Sequence, residues 1–210
     1  MLPQLDEKIQ AAAEAFEQAV LEMHHDDKGV HVNTLLSTTA AIVAEAIMRA
    51  RLPEVQIYGD RGIIIAPEAD ALLLGEPDGC VMDFIYFTAQ EAGLTPETVP
   101  DIDDIFRHTA QALGKSEIPA LTVPDDQRPQ FWSMAGATYA RPRVLELYQQ
   151  YGLSADEAVL ASTLVLCRLL NGTQKVMEPR VAFRLVMETL VGALRLHPVS
   201  REDLERVSKQ

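Results

Sequence analysis

The stretch 154–196 constrains the fold of this chain more than any other part of its sequence. It predicts two long helices joined by a short polar link, and Ser154 with Glu157 forms a capping box at the start of the first one. This helix, 155–170, carries apolar residues on almost every side, and such a helix is normally buried in the middle of a protein. We therefore expect the rest of the chain to cover it.

The remaining sequence supplies amphipathic helices that can form this cover. Apolar residues recur at spacings of three and four, the period of one helix face, in the segments 5–23, 32–51, 80–92 and 102–113. Two further helices are expected, a short one at 129–137 and another from Pro142, because proline suits the first turn of a helix. The sequence thus predicts a mainly α bundle of about seven helices.

One segment changes from a helical period to a strand period. Residues 54–58 alternate polar and apolar side chains, 59–62 have turn composition, and 63–65 are all β-branched. We expect a small β-hairpin near 54–66. For 71–75 two alternatives stay open, a third strand or a helical turn, because periodicity does not decide over so few residues.

Length and composition favour a single, mostly helical domain over 1–210. A chain of 210 residues can bury a full core, about 70% of the surface that it exposes when unfolded. The segment 115–128 contains two prolines and two adjacent aspartates, and it is long for a loop within a domain. A weak domain boundary at this segment is the alternative.

The charge distribution limits the classes of partner. The net charge is −13, and the first 140 residues hold 23 acidic and 8 basic residues, whereas the rest hold 8 acidic and 10 basic ones. Binding to nucleic acid depends on a basic patch, which the sequence does not show. Acidic surface also repels anionic membranes. We therefore expect no nucleic-acid or membrane partner, while the acidic part of the chain suits a basic protein partner.

Cysteine use and hydropathy predict a soluble, cytoplasmic protein. Cys80 and Cys167 fall in separate predicted helices, as buried thiols do in a reducing compartment. The N-terminus lacks a basic region followed by an apolar one, so we expect no secretory signal. The longest apolar run, 158–170, is interrupted by polar residues and is too short to span a membrane.

One polar loop concentrates residue types that bind metals. His24, His25, Asp26 and His31 lie between the first two predicted helices, and imidazole and carboxylate are ligands of zinc, iron or nickel. His25-Asp26 resembles the adjacent His-Asp pair of the HD-type metal phosphohydrolases, an all-helical family. This resemblance is two residues wide and implies a divalent metal at the pair. The upstream histidine of that family has no counterpart, because no histidine precedes His24.

Two functions follow from these patterns. The sequence contains no nucleophile motif, phosphate-binding loop or dinucleotide fingerprint, so we expect no cofactor and favour a non-catalytic protein. It would act through protein–protein interaction or self-association as a homodimer, with Phe131, Trp132, Leu160 and Leu166 as candidate contact residues. The alternative is a metal-dependent hydrolase that works at 24–31.

Overall fold

The computed structural model describes residues 6–52, 66–75, 80–112, 120–196 and 201–202. Within these residues the protein has eight α-helices, a two-stranded antiparallel sheet and a 3-10 turn at Asp125–Gln127. The helices are α1 (Glu7–Met23), α2 (Val32–Arg51), α3 (Pro67–Leu74), α4 (Val81–Glu91), α5 (Ile102–Ala112), α6 (Ser133–Gln150), α7 (Ala155–Thr173) and α8 (Pro179–Ala193). The strands are β1 (His25–Asp26) and β2 (Gly29–Val30). The predicted mainly α bundle is confirmed, and it contains one small hairpin within the described residues.

The observed hairpin joins α1 to α2 through β1 and β2, where the sequence predicted a polar loop. The predicted hairpin near 54–66 lies outside the described residues, except for Ala66, which directly precedes α3. The alternative left open at 71–75 is settled in favour of helix, because α3 runs through Leu74.

The most buried helix is α2, so 155–170 is covered by its neighbours as expected but is not the single central helix. Residues 34–48 of α2 are all buried, and this helix packs against α6, α7 and α8. Its polar side chains do not need water, because Ser37 and Thr39 donate hydrogen bonds to carbonyl oxygens of their own helix at 3.1 and 2.9 Å. By contrast, α7 keeps Leu160 and Leu164 partly exposed.

A single continuous helix, α6, replaces the two helices predicted at 129–137 and from Pro142. Pro142 lies inside α6, although an interior proline removes one helix hydrogen bond and costs about 3 kcal/mol. Buried residues on both sides of it, including Ala137, Ala140 and Val144, belong to the faces that pack against α1 and α2. Packing along the whole helix therefore offsets the local cost of the proline.

One cluster of buried apolar side chains receives residues from all eight helices. The end of the segment 115–128 is attached to α8, since Val123 is buried and the Thr122 amide donates a hydrogen bond to Glu188 at 2.8 Å. Residues 113–119 lie outside the described part of the chain. The single-domain organisation therefore remains a prediction.

Candidate functional site

The hairpin between α1 and α2 carries all four candidate metal ligands, and we call residues 24–31 the histidine hairpin. Asp27 and Lys28 form its turn, and the Lys28 amide donates a hydrogen bond to Asp26 Oδ1 at 2.8 Å. Gly29 follows with φ 111°, in the left-handed region that favours glycine. The local sequence therefore builds a tight turn between two very short strands.

His31 connects the histidine hairpin to the segment before α6. Its Nδ1 lies 2.7 Å from Gln130 Nε2. An amide nitrogen can only donate, so Nδ1 accepts and Nε2 carries the ring proton. Nε2 therefore donates to Asp26 Oδ2 at 2.8 Å. This hydrogen bond from His31, together with the one from the Lys28 amide, lowers the pKa of Asp26.

His24 points into the protein and is buried. Its Nδ1 lies 2.8 Å from the Val20 carbonyl oxygen, so Nδ1 carries a proton. Nε2 lies 3.1 Å from Thr38 Oγ1 and accepts from this hydroxyl when the ring is neutral. Burial lowers the pKa of His24, and the nearby His31 adds to the effect, while the hydrogen bond to Val20 opposes it. The structure therefore favours a neutral ring at this position.

The four candidate ligands do not converge on one point. Asp26 and His31 form a pair, but both ring nitrogens of His24 are occupied inside the protein. His25 is an exposed neighbour of Asp26 on β1, and successive strand residues point to opposite faces. Among the described residues, no group of three or more His, Cys, Asp or Glu side chains is placed to hold a metal ion. The geometry offers no support for the hydrolase alternative.

Exposed aromatic side chains lie beside the histidine hairpin and continue along α6. Phe131, Trp132 and Tyr139 are 46%, 37% and 55% exposed. The Phe131 ring stacks on His24 with 6.2 Å between ring centroids. The missing side chain at Gly136 leaves room for the edge of the Phe131 ring, because a Cβ at that glycine would lie only 2.9 Å from Phe131 Cε2. We define the aromatic surface as Phe131, Trp132, Ala135, Tyr139 and Pro142.

Two of the predicted interaction residues lie on α7 and not on the aromatic surface. Leu160 is half-buried, and Leu166 is completely buried in the core. The prediction for Leu166 is wrong, because α1, α2, α4 and α8 pack around α7 and cover the side that carries this residue. A helix that is apolar on every side does not reveal which side its neighbours leave open.

A buried ion cluster that the sequence did not predict lies between α2 and α6. Glu45 and Arg141 are each 6% exposed, and Glu45 Oε1 accepts a hydrogen bond from Arg141 Nε at 2.6 Å. Arg49 Nη2 donates to the same oxygen at 2.9 Å. The sequence does contain a sign of this cluster, because a charged residue, Glu45, stands between the apolar residues 42–44 and 46–48. The cluster joins α6 to the central helix and holds its charges within the protein.

Protonation of His24 makes the stability of the fold depend on pH. The pKa of His24 is lowered from an ordinary value of 6.5, so the unfolded chain binds this proton at a higher pH than the native protein does. The free energy of unfolding should therefore fall as the pH drops below about 6.5 and stop falling below the native pKa. Urea unfolding between about pH 7 and pH 5 measures this slope.

Two variants test whether the His24 ring causes the pH dependence of the free energy of unfolding. His24→Gln should lose less stability over this pH interval, because it lacks the imidazole whose pKa differs between the native protein and the unfolded chain. His25→Gln removes the exposed neighbour and should keep the wild-type slope. Equal slopes in all three proteins would show that His24 is not the cause.

The aromatic surface beside the histidine hairpin is the best candidate functional site in the described part of the chain. None of the described helices is long and apolar enough to cross a membrane. Comparisons with family models, curated proteins and solved structures found no match for this chain. Evidence for its function therefore comes from the geometry of its own residues.

Proposed function

We propose that this chain is a non-catalytic protein that binds another protein molecule through the aromatic surface. The observation that carries the proposal is the exposure of three aromatic side chains within nine residues, Phe131 and Trp132 directly before α6 and Tyr139 in its second turn. Aromatic side chains supply large contact areas and few rotatable bonds, so they provide most of the binding energy at many interfaces.

The Phe131 end of the aromatic surface is held in position before any partner arrives. Phe131 stacks on the buried His24, and the preceding residue, Gln130, binds Thr34 through its backbone amide at 3.0 Å and His31 through its side chain. Groups that are already ordered lose little conformational entropy on binding. The contacts around the surface therefore support a binding role.

The chemistry of the buried groups also supports a non-catalytic role. Burial raises the pKa of the Cys80 thiol and raises that of Cys167 to about 11, whereas a reactive cysteine needs a lowered pKa. The buried carboxylates of Glu45 and Glu188 are engaged by Arg141 and Thr122. These groups have structural tasks within the described residues. The free, buried thiols are also consistent with the cytoplasm as the compartment.

Site-specific photo-cross-linking in the cells that make the protein tests this proposal. A photoreactive phenylalanine analogue in place of Tyr139 should form covalent adducts with a bound protein. The same analogue in place of Phe87 on α4 is the matched control, because Phe87 is an aromatic residue that is 45% exposed and lies outside the aromatic surface. Adducts should form from position 139 and not from position 87.

A second substitution tests whether the adducts from position 139 depend on the rest of the aromatic surface. Trp132→Ala should remove most of the adducts from position 139, because Trp132 supplies a large part of the exposed aromatic area. A urea unfolding curve shows whether the variant still folds, since Trp132 is 37% exposed and also has contacts within the protein. If position 139 yields no more adducts than position 87, the proposed function is wrong.

A further inference from the structure

We propose that the occupant of the aromatic surface is a second copy of this chain, with the two α6 helices packed antiparallel across a twofold axis. This inference rests on the proposed function and adds the identity of the partner and its orientation. The order of small, large and charged residues along the exposed face of α6 supports this arrangement.

The first half of α6 carries a narrow apolar stripe on its exposed face. Trp132, Ala135, Tyr139 and Pro142 follow one another at spacings of three and four, which places them on one side of the helix. All except the half-buried Ala135 are exposed. An apolar stripe normally packs against other apolar groups, and this one has none over it within the described residues.

The stripe is complementary to itself when it is reversed. The small residue Ala135 and the large residue Tyr139 are four positions apart, a rise of about 6 Å. With a twofold axis midway between them, each Tyr139 ring lies over Ala135 of the second copy. The same axis places each Trp132 near Pro142 of the second copy. A twofold contact needs this kind of match, in which one patch fits its own reversed image.

The charges at the two ends favour the antiparallel orientation. Near Phe131 the surface borders the histidine hairpin, where Asp26 and Asp27 are exposed, with the exposed Lys28 beside them. At the other end lie Arg143, which is exposed and forms an ion pair with Glu146 at 2.7 Å, and Arg201, whose guanidinium lies 5.6 Å from the centre of the Tyr139 ring. Reversal brings the two aspartates of one copy towards Arg143 and Arg201 of the other. Such exposed charges determine orientation more than affinity.

Sedimentation equilibrium with the full chain tests the inference. The average mass should rise with concentration from 23.2 kDa towards twice this value, within a range of about 1 to 300 µM that suits a small interface. Trp132 is the single tryptophan of the chain, so its fluorescence should shift to shorter wavelength over the same range. Trp132→Ala should leave a monomer at all of these concentrations.

Charge reversal tests the orientation. Asp27→Arg and Arg143→Asp each place like charges at both ends of an antiparallel dimer, and each should weaken it about tenfold. An equimolar mixture of the two variants has opposite charges at both ends again and should recover wild-type affinity. Arg107→Asp on α5 is the control, because Arg107, like Arg143, is an exposed partner in an ion pair with a carboxylate three residues away.

The outcomes separate this inference from the proposed function. A monomer at every concentration overturns the inference, and adducts from position 139 to a different protein would then leave the proposed function intact. A dimer that is unaffected by Trp132→Ala also overturns it, since another surface must hold the dimer together. The antiparallel arrangement is overturned if Trp132→Ala removes the dimer but the equimolar mixture of Asp27→Arg and Arg143→Asp does not recover wild-type affinity.

Discussion

We expect Gly136→Ala to destabilise the fold by about 2 kcal/mol, although alanine is the better helix former by about 1 kcal/mol. Gly136 lies inside α6, where an added Cβ would stand 2.2 Å from Thr38 Oγ1 and 2.9 Å from Phe131 Cε2. The Thr38 hydroxyl is also bonded to His24, so it cannot move away without breaking that contact. Urea unfolding measures the loss.

Gly172→Ala is the matched control for this substitution. Gly172 also lies in a helix, near the end of α7, and nothing stands within 4 Å of a Cβ added there. Only the higher helix propensity of alanine then changes stability, and the free energy of unfolding should rise by about 0.5 to 1 kcal/mol. A similar gain from Gly136→Ala would show that α6 and α2 are not in close contact at this glycine.

Local patterns in the sequence were sufficient to predict most helices. The Ser154 hydroxyl accepts the Glu157 amide at 3.3 Å, and the Glu157 carboxylate accepts the Ser154 amide at 2.8 Å, so the predicted capping box is confirmed. The apolar stripes likewise predicted α1, α2, α4 and α5 to within about three residues at each end. These features depend on neighbours along one helix, which periodicity records.

Features that depend on tertiary packing could not be predicted in the same way. Pro142 breaks helices in isolation, but here it stays inside α6 because the flanking residues are buried. The central position of α2 depends on Ser37 and Thr39, whose hydroxyls turn back to their own helix. From the sequence alone, such residues suggest a surface position.

The candidate site was predicted in part. Phe131 and Trp132 are exposed, as the sequence suggested, and their role in binding remains a proposal. The grouping of His24, His25, Asp26 and His31 followed from residue types, but their directions depend on Val20, Thr38 and Gln130, which are distant in sequence or act through the backbone. Ligand chemistry without geometry therefore pointed to a metal where the structure shows two separate hydrogen-bonded histidines.

The largest loss of stability is expected for Glu45→Ala, at about 3 to 5 kcal/mol. Glu45 Oε1 accepts hydrogen bonds from Arg141 at 2.6 Å and from Arg49 at 2.9 Å. Arg49 is 27% exposed and can turn towards water, but Arg141 is 6% exposed and stays inside. Removal of the carboxylate leaves this buried guanidinium without its closest countercharge. Chemical unfolding followed by circular dichroism measures the difference.

A double substitution distinguishes the cost of an uncompensated charge from the value of the ion pair itself. Glu45→Met combined with Arg141→Met replaces both charged side chains by apolar ones of similar length, and such a replacement is often neutral. We expect the double variant to be more stable than Glu45→Ala by at least about 2 kcal/mol. Asp104→Ala, which breaks an exposed ion pair with Arg107, should change stability by less than about 1 kcal/mol. If Glu45→Ala has as small an effect as Asp104→Ala, then other partners compensate the charge of Arg141, and its ion pair with Glu45 does not hold α6 on α2.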